Sequence, residues 1–331
     1  MSAGPPLYYG TNPDAAIHHI QTRAAARMLD PSARDERKLG LAVEGGSMRG
    51  VLSGGGAVAL SHLGFNGLFD EVYATSAGVM NVAYFLSRQA ELGITVYYED
   101  IADRRFWSPR RFWKMLDVDY LFRDVVTRQK PLDIEAVLRS PTRLMVAAIN
   151  ARVGEGALLD TRTTKTPLLQ VLKAATAMPI LYNRTVEVDG TPYVDGGLAI
   201  PFPLKQAIDR GCTDILVLLT RPPSYRSPEP TRNQRFLFRR LVRGNKAKMG
   251  LLYDHHPEVA NAYRDLALGT SKPDRPVNIV TVCPELPELI HRTTRDPEAL
   301  RAAAVDFGRK VLRAFNADAE AWTLDAVKRP S

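Results

Sequence analysis

Three short stretches hold the side chains best suited to chemistry: Gly45-Gly-Ser-Met-Arg-Gly50, Ala74-Thr-Ser-Ala-Gly78 and Asp195-Gly-Gly197. A serine at a sharp strand-to-helix corner is held clear of the sheet, and crowding there demands small residues two positions to either side. Ala74 and Gly78 meet that demand around Ser76. The helix start behind such a serine offers unpaired, electropositive amides. The plainer alternative is that Ser76 only caps the helix. Consecutive glycines before a helix aim several N–H groups at one point with no side chain in between, as an oxyanion hole requires. A simple turn is the alternative there. Two glycines after Asp195 let the backbone turn tightly and bring the carboxylate toward another loop; taken alone, the same residues read as a turn with a solvated aspartate. Together, a nucleophile, a backbone donor loop and a carboxylate are the parts of acyl transfer.

The elements that must position these groups alternate. Leu39–Val43 is a short apolar run that reads as a buried strand, and a helix is predicted from Val51 to about Leu63. Gly54, Gly55 and Gly56 each cost that helix about 1 kcal/mol against alanine, which suggests close approach by another backbone. Glu71–Thr75 reads as a second strand and Gly78–Arg88 as a second helix. Further strands are predicted at Arg143–Ile149, Asp214–Leu219 and Val277–Val282, with helices at Pro167–Ala177 and Pro297–Phe315. Asp189-Gly190 between Thr185–Val188 and Thr191–Val194 predicts a type I′ hairpin. This alternation implies an α/β fold with a mainly parallel sheet. Residues 1–37 read as an N-terminal arm with one helix near Asp14–Met28, and residues 100–140 as irregular.

A dinucleotide loop would need glycine at position 47, where Ser47 stands, and a Walker loop would need Lys-Ser/Thr directly after Gly50. Of the histidines, His62 falls late on the first predicted helix and reads as a packing residue rather than a partner of Ser76. Asp254-His255-His256 reads as a helix start rather than a set of metal ligands. No metal or cofactor is expected.

The three stretches, with Arg49 and the small-residue segment Ala174-Ala-Thr-Ala-Met-Pro179, resemble the patatin-like phospholipase family. That family's signature is a Gly-Gly-Gly-x-Arg/Lys-Gly loop, a Gly-x-Ser-x-Gly elbow and an Asp-Gly-Gly/Ala turn, in this order. The resemblance covers roughly residues 38–220. It implies a three-layer α/β/α fold over 38–331, with a basic loop or helix insertion around 221–250. It maps Gly45, Gly46, Ser47 and Arg49 to the oxyanion loop, Ser76 to the nucleophile and Asp195 to its dyad partner. Ala74 and Ser47 stand where the family usually has glycine, which bears on substrate range more than on activity. The activity implied is hydrolysis of phospholipids or other acyl-ester lipids through an acyl-enzyme. In this scheme Asp195 takes the Ser76 proton and then activates water. A free aspartate, with a pKa of about 3.9, is a feeble base, so desolvation beside Ser76 should raise it. Arg49 maps near a lipid phosphate, although a structural ion pair is the plainer role. An acyltransferase, a catalytically idle lipid-binding or scaffold protein, and a nucleotide-binding protein are the alternatives.

No apolar run approaches the roughly 20 residues needed to span a bilayer, and Met1–Gly10 carries no secretory pattern. Cys212 and Cys283 cannot form a disulfide framework and read as core residues in a reducing compartment, so a cytoplasmic location is expected. The net charge of +8 favours anionic surfaces. Arg104–Lys114 interleaves cations with aromatics, and Arg232–Lys248 carries seven cations and no acid, with Phe236, Leu237, Phe238 and Leu241 between them. Such segments suit peripheral contact with the anionic inner face of a membrane, and a solvated charged face is the alternative. No nucleic-acid-binding motif accompanies the charge. The sequence sets no oligomeric state.

Overall fold

The computed structural model describes residues 6–30, 32–33, 35–111, 114–285 and 290–324. Its strands are β1 (Leu39–Val43), β2 (Glu71–Ala74), β3 (Arg143–Asn150), β4 (Glu155–Asp160), β5 (Val186–Val188), β6 (Thr191–Asp195), β7 (Asp214–Leu218) and β8 (Asn278–Val282). Its α-helices are α1 (Pro13–Leu29), α2 (Gly50–His62), α3 (Ala77–Leu86), α4 (Ala90–Thr95), α5 (Val118–Tyr120), α6 (Ile134–Arg139), α7 (Leu168–Ala175), α8 (Leu204–Asp209), α9 (Arg232–Leu241), α10 (Lys246–Leu268) and α11 (Pro297–Ala314).

One sheet runs β5-β6-β3-β2-β1-β7-β8, with β4 on the far side of β3. The pairs β1–β2, β1–β7, β2–β3 and β7–β8 are parallel, and β4, β5 and β6 supply the antiparallel part. Alternate residues of the parallel strands feed two cores. Leu41, Val43, Val72, Ala74, Leu216 and Leu218 face the larger one, with residues of α2, α3, α7 and α11. Ala42, Tyr73, Ile215, Val217 and Ile279 face the other, with Leu204, Ala207 and Ile208 of α8 and Ala267 of α10. A sheet covered by helices on both faces needs strands that are apolar throughout, and β1 and β7 are buried along their whole length. This is the three-layer α/β/α arrangement.

The glycines of α2 have the purpose their cost suggested. A Cβ at Gly55 would collide with the carbonyl oxygen of Ala304, so α11 crosses α2 backbone to backbone. At the hairpin, Asp189 and Gly190 both have positive φ, 48° and 73°, as a type I′ turn requires. Before the sheet, Tyr9 bridges to Thr281, and Arg23 of α1 is buried against Asp35 and Asp70 (2.8 and 2.6 Å).

Several expectations are corrected. Strand β4 was not anticipated: both its ends are acidic, its first two residues are exposed and it contains Gly156, so it lacks an alternating pattern. His255 and His256 lie well inside the 23-residue α10 rather than at a helix start, because that helix carries Pro257 in its interior. His62 is exposed at the end of α2 and packs into no core. Within 100–140 the described residues of 101–117 are irregular, as expected, while 118–139 is mostly helical, with Leu121–Gln129 wound as π-helix; Val96–Asp100, just before the segment, is π-helical too. Segment 221–250 contains α9, opened by a capping box between Thr231 and Gln234, and the start of α10. Cys212 and Cys283 are both buried and unbridged. Among the described residues no helix is long and apolar enough to cross a membrane.

Candidate active site

The sheet register brings the predicted groups together. β4 pairs with β3 from Met145 to Asn150, so β2 and β6 must share the opposite edge of β3. β2 runs up that edge to Ala74, opposite Val146; β6 runs down it to Asp195, opposite Ala148. The two strands therefore point their ends at each other, and what leaves them, Thr75-Ser76 and Gly196-Gly197, meets at the gap. Thr75 fastens the junction by donating to the Ile200 carbonyl at 3.0 Å.

Ser76 takes φ 55° and ψ −130° between β2 and α3, a conformation that costs a non-glycine residue of order 1–3 kcal/mol. Its side chain makes no capping hydrogen bond to α3, which removes the plain capping role. The glycine loop presses directly on this corner: a Cβ at Gly45 would stand 2.5 Å from the Thr75 carbonyl oxygen and 2.7 Å from Ser76 Cβ. Gly46 and Ser47, at φ 148° and 56°, turn the chain beside it. Among the described residues, the amides of Gly46, Ser47 and Ala77 donate to no protein acceptor. The Arg49 amide, by contrast, is engaged with the Gly46 carbonyl at 3.2 Å, so Arg49 brings only its side chain to the site.

Asp195 is 3% exposed. Its Oδ1 accepts from the Gly197 amide at 2.8 Å, while Oδ2 is buried with no hydrogen-bond partner among the described residues. Burial pushes its carboxyl up to about 6, against the Ser76 hydroxyl, the Gly197 amide and the charge of Arg292. Ser76 is thus near enough to influence the carboxyl, yet no hydrogen bond of ordinary geometry joins them. Catalytic hydrogen bonds are often loose before substrate binds and tighten in the complex.

Two cavities meet at Ser76. A cleft of about 630 Å³ carries Gly45, Gly46, Ser47, Arg49, Ser76 and Asp195 on its wall. A narrow apolar cavity of about 60 Å³ runs inward beneath α3, past Met80, Tyr97, Phe106, Leu121 and Val126. Ser47, Ser76 and Met178 line both.

Sequence reasoning missed the outer parts of the cleft. Arg221, Arg264, Arg292 and His256 all line it, but they come from three separate places in the chain, His256 and Arg264 both on α10, and carry no local motif. His256 shares its Nδ1 with the Leu198 carbonyl at 3.3 Å, and burial lowers its pKa. It makes no hydrogen bond to Ser76 or Asp195. His255 instead lies near Glu258, at 3.7 Å. Among the described residues no three His, Cys, Asp or Glu side chains gather as metal ligands.

The family model described as patatin-like phospholipase matches residues 41–208, half of the chain, and takes in the glycine loop, Ser76 and Asp195. The chain belongs to the patatin-like phospholipase family. A relative within the curated proteins is YjjU of Escherichia coli (strain K12), itself uncharacterized, which is 28% identical over 262 residues, or 76% of this chain and 69% of YjjU. Two solved structures are similar at low identity. VipD from Legionella pneumophila aligns with a TM-score of 0.41 and 13% identity, over 86% of this chain and 67% of VipD. Human GIVD cytosolic phospholipase A2, in complex with methyl gamma-linolenyl fluorophosphonate, aligns with a TM-score of 0.42 and 12% identity, over 95% of this chain and 66% of that one. Membership of the patatin-like phospholipases implies lipid acyl hydrolysis as the class of chemistry. The matched segment ends before β7, so Arg221, α9, α10 and Arg292 lie outside it.

Proposed function

We propose that this patatin-like protein hydrolyses acyl esters of phospholipids or related lipids through a Ser76 acyl-enzyme, with Asp195 as the general base. The observation that carries this reading is the end-to-end placement of β2 and β6 on one edge of β3, which delivers a strained serine and a buried carboxylate to one point. Ser76 Oγ attacks the ester carbonyl carbon as its proton passes to the unpartnered Oδ2 of Asp195. The amides of Gly46, Ser47 and Ala77 are the donors for the tetrahedral oxyanion. Collapse breaks the carbon–oxygen bond of the leaving alcohol, which takes the proton from Asp195. Water then gives a proton to the same carboxylate as it attacks the acyl carbon, and collapse breaks the bond to Ser76 Oγ, which takes that proton back from Asp195 as the fatty acid leaves. The acyl chain belongs in the apolar cavity and the remainder of the lipid in the cleft. The cavity is narrow, and part of its wall is π-helical, at Val96, Tyr97, Leu121 and Val126. Such helix occurs mainly as local bulges at functional sites, and these turns are where the cavity would widen.

The test is incubation of a total lipid extract with wild-type and Ser76→Ala protein. Free fatty acid and the matching deacylated lipid should accumulate only with wild type. Acyl groups that reappear on another alcohol would instead indicate acyl transfer. A Ser-His-Asp scheme through His256 is separable from the dyad. Losing the histidine of such a triad costs several orders of magnitude, whereas His256→Gln should reduce kcat on a soluble ester by less than about 10-fold, since it shapes the cleft without relaying the proton. A 10³-fold loss would replace the dyad with a triad.

The same reading includes peripheral docking on an anionic bilayer through α9. Phe236, Leu237 and Leu241 are 70%, 54% and 41% exposed, and Leu237 and Phe238 form part of the cleft wall. Arg232, Arg235, Arg239, Arg240 and Lys246 surround Phe236 and Leu241 on the outer side. Apolar side chains ringed by cations suit a headgroup boundary, and docking there would set the cleft against the lipid. Ion pairs engage cations of both basic stretches: on α9 Arg235 and Arg239 pair with Glu229 and Asp254, and in the other stretch Arg105, Arg111 and Lys114 pair with Asp124, Asp117 and Asp119, while Phe112 and Trp113 lie outside the described residues. Each basic residue near such a surface contributes about 1 kcal/mol. Replacing Arg239, Arg240 and Arg243 together by glutamine should therefore weaken binding to phosphatidylglycerol vesicles about 10²-fold in a sedimentation assay. Unchanged binding would assign that face to solvent.

A further inference from the structure

We propose that a second groove, separate from the cleft that holds Ser76, docks a lipid headgroup with more than one negative charge, so that the protein prefers membranes containing phosphomonoester lipids. This deepens the reading of α9 as a membrane-facing helix and rests on it for the position of the bilayer. The groove, of about 910 Å³, lies between three parts of the chain. Arg152 stands in the turn between β3 and β4, Asn183 and Arg184 in the segment before β5, and Arg243 in the link between α9 and α10. A smaller groove continues it: Asn183, Arg243 and Gly244 line both, and Arg240, Leu241 and Lys246 complete the second. Those last three residues also belong to the outer face of α9. One basic surface therefore runs from the exposed apolar tip of α9 to Arg152.

The walls are fixed to one another. Gly244, at φ 86°, lies so close to the end of β3 that a Cβ there would stand 2.4 Å from the Ala151 carbonyl oxygen. The Asn245 amide donates to that same oxygen at 2.8 Å. A Cβ on Gly154 would meet the Lys248 Cβ at 2.3 Å, so the first turn of α10 is seated on the β3–β4 turn. Among the described residues no acid lines either groove. The guanidinium groups of Arg240 and Arg243 make no ion pair or hydrogen bond among the described residues. Arg152 donates to the Gly190 carbonyl at 3.3 Å. Asp189, beside that glycine, is engaged by the amides of Lys165 and Thr166 at 3.0 and 2.9 Å. Arg184 does have an acid, Asp119 at 3.6 Å, but Lys114 and Lys173 hold the same carboxylate more closely, at 2.7 and 2.6 Å. The cations of the groove thus outnumber the acids within their reach.

A guanidinium fork takes phosphate oxygens two at a time. A phosphodiester headgroup offers two free oxygens and one charge, enough for one fork. A phosphomonoester offers three oxygens and a second charge above a pKa of about 6, enough to engage two arginines at once. Asn183 adds an acceptor, since its Oδ1 is buried with no hydrogen-bond partner among the described residues, and a phosphate hydroxyl would satisfy it. The apolar lining is limited to Ala151 and Pro192, so the groove suits a headgroup while the acyl chains stay in the bilayer. No aromatic side chain lines it, and a single-stranded nucleic acid would lack the stacking platform it needs.

The test is sedimentation with phosphatidylcholine vesicles that contain either phosphatidic acid or phosphatidylglycerol, adjusted to equal surface charge. Ser76→Ala protein is used throughout, so that no lipid is consumed. It should bind the phosphatidic acid vesicles about 10-fold more tightly. Adding Arg152→Lys or Arg184→Lys keeps the charge and removes the fork. Each should abolish that preference and leave binding to phosphatidylglycerol vesicles unchanged. Inorganic pyrophosphate should compete for the groove more weakly than the lipid. If it binds as tightly as the lipid and is lost in the same variants, the groove takes a free anion and the lipid assignment falls. A polyglutamate peptide that displaces the protein from phosphatidic acid vesicles more effectively than pyrophosphate does would make the occupant a protein, with the same consequence. Equal binding to the two vesicles, or a preference that both lysine variants keep, overturns the proposal and leaves docking through α9 intact. Protein that sediments with neither vesicle overturns both.

Discussion

Ser76→Ala should lower kcat on a short-chain nitrophenyl ester by about 10⁴- to 10⁶-fold, the scale found when a serine hydrolase loses its nucleophile. The change removes one oxygen and leaves the amides of Gly46, Ser47 and Ala77 in place, so the residual rate measures what that oxyanion pocket and binding achieve with water alone. Substrate affinity should change little, because Ser76 contributes a bond that exists only along the reaction path. A variant retaining a tenth of the wild-type rate would place the nucleophile elsewhere.

Asp195→Asn should cost about 10⁴-fold in kcat on the same ester, comparable to loss of the carboxylate in other hydrolases and greater if this group is the sole proton acceptor. An amide keeps the shape and the Oδ1 contact to Gly197 but cannot take the serine proton. Wild-type kcat/KM should rise with pH through a midpoint near 6, because burial holds the carboxyl there and only the ionised form can act as base. That limb should vanish in the variant. Stability should move the opposite way. The folded-state pKa lies above the ordinary 3.8, so between about pH 4 and 6 the native state binds more protons than the unfolded chain, and stability falls as pH rises. The interval from 3.8 to about 6 corresponds to about 3 kcal/mol at neutral pH. The neutral amide of the variant carries no such penalty. Thermal melts should therefore show Asp195→Asn at least as stable as wild type above pH 7 and no longer weakened between pH 4 and 6. A destabilised variant together with a flat wild-type pH profile would mean that Asp195 is a structural residue.

The parts of this site that could be read in the sequence are those whose signal is local. The apolar run Leu39–Val43 stopping at Gly45-Gly46, the small residues around Ser76, and Asp189-Gly190 opening the strand that ends at Asp195 each specify their own backbone, and the fold follows them within a residue or two. Pairing β2 and β6 on one edge of β3 is not local, and only family resemblance stood in for it. The arginine wall was invisible for the same reason: Arg221, Arg264 and Arg292 converge through the packing of β7, α10 and the segment before α11. His255 and His256 were misplaced because Pro257 reads as a helix boundary, although α10 continues through it. His62 sits at a helix end where exposure depends on which neighbours cover it, and among the described residues none do. β4 pairs by its backbone at a solvated edge, so its side chains carry little pattern.

A fluorophosphonate probe, followed by peptide mass mapping, tests the central claim most directly. Wild-type protein should carry a single adduct on Ser76, Ser76→Ala should carry none, and Asp195→Asn should label at least about 10²-fold more slowly, because the carboxylate is what activates the hydroxyl. An adduct on Ser47 or another serine, or labelling at Ser76 as fast without the Asp195 carboxylate as with it, would contradict the account.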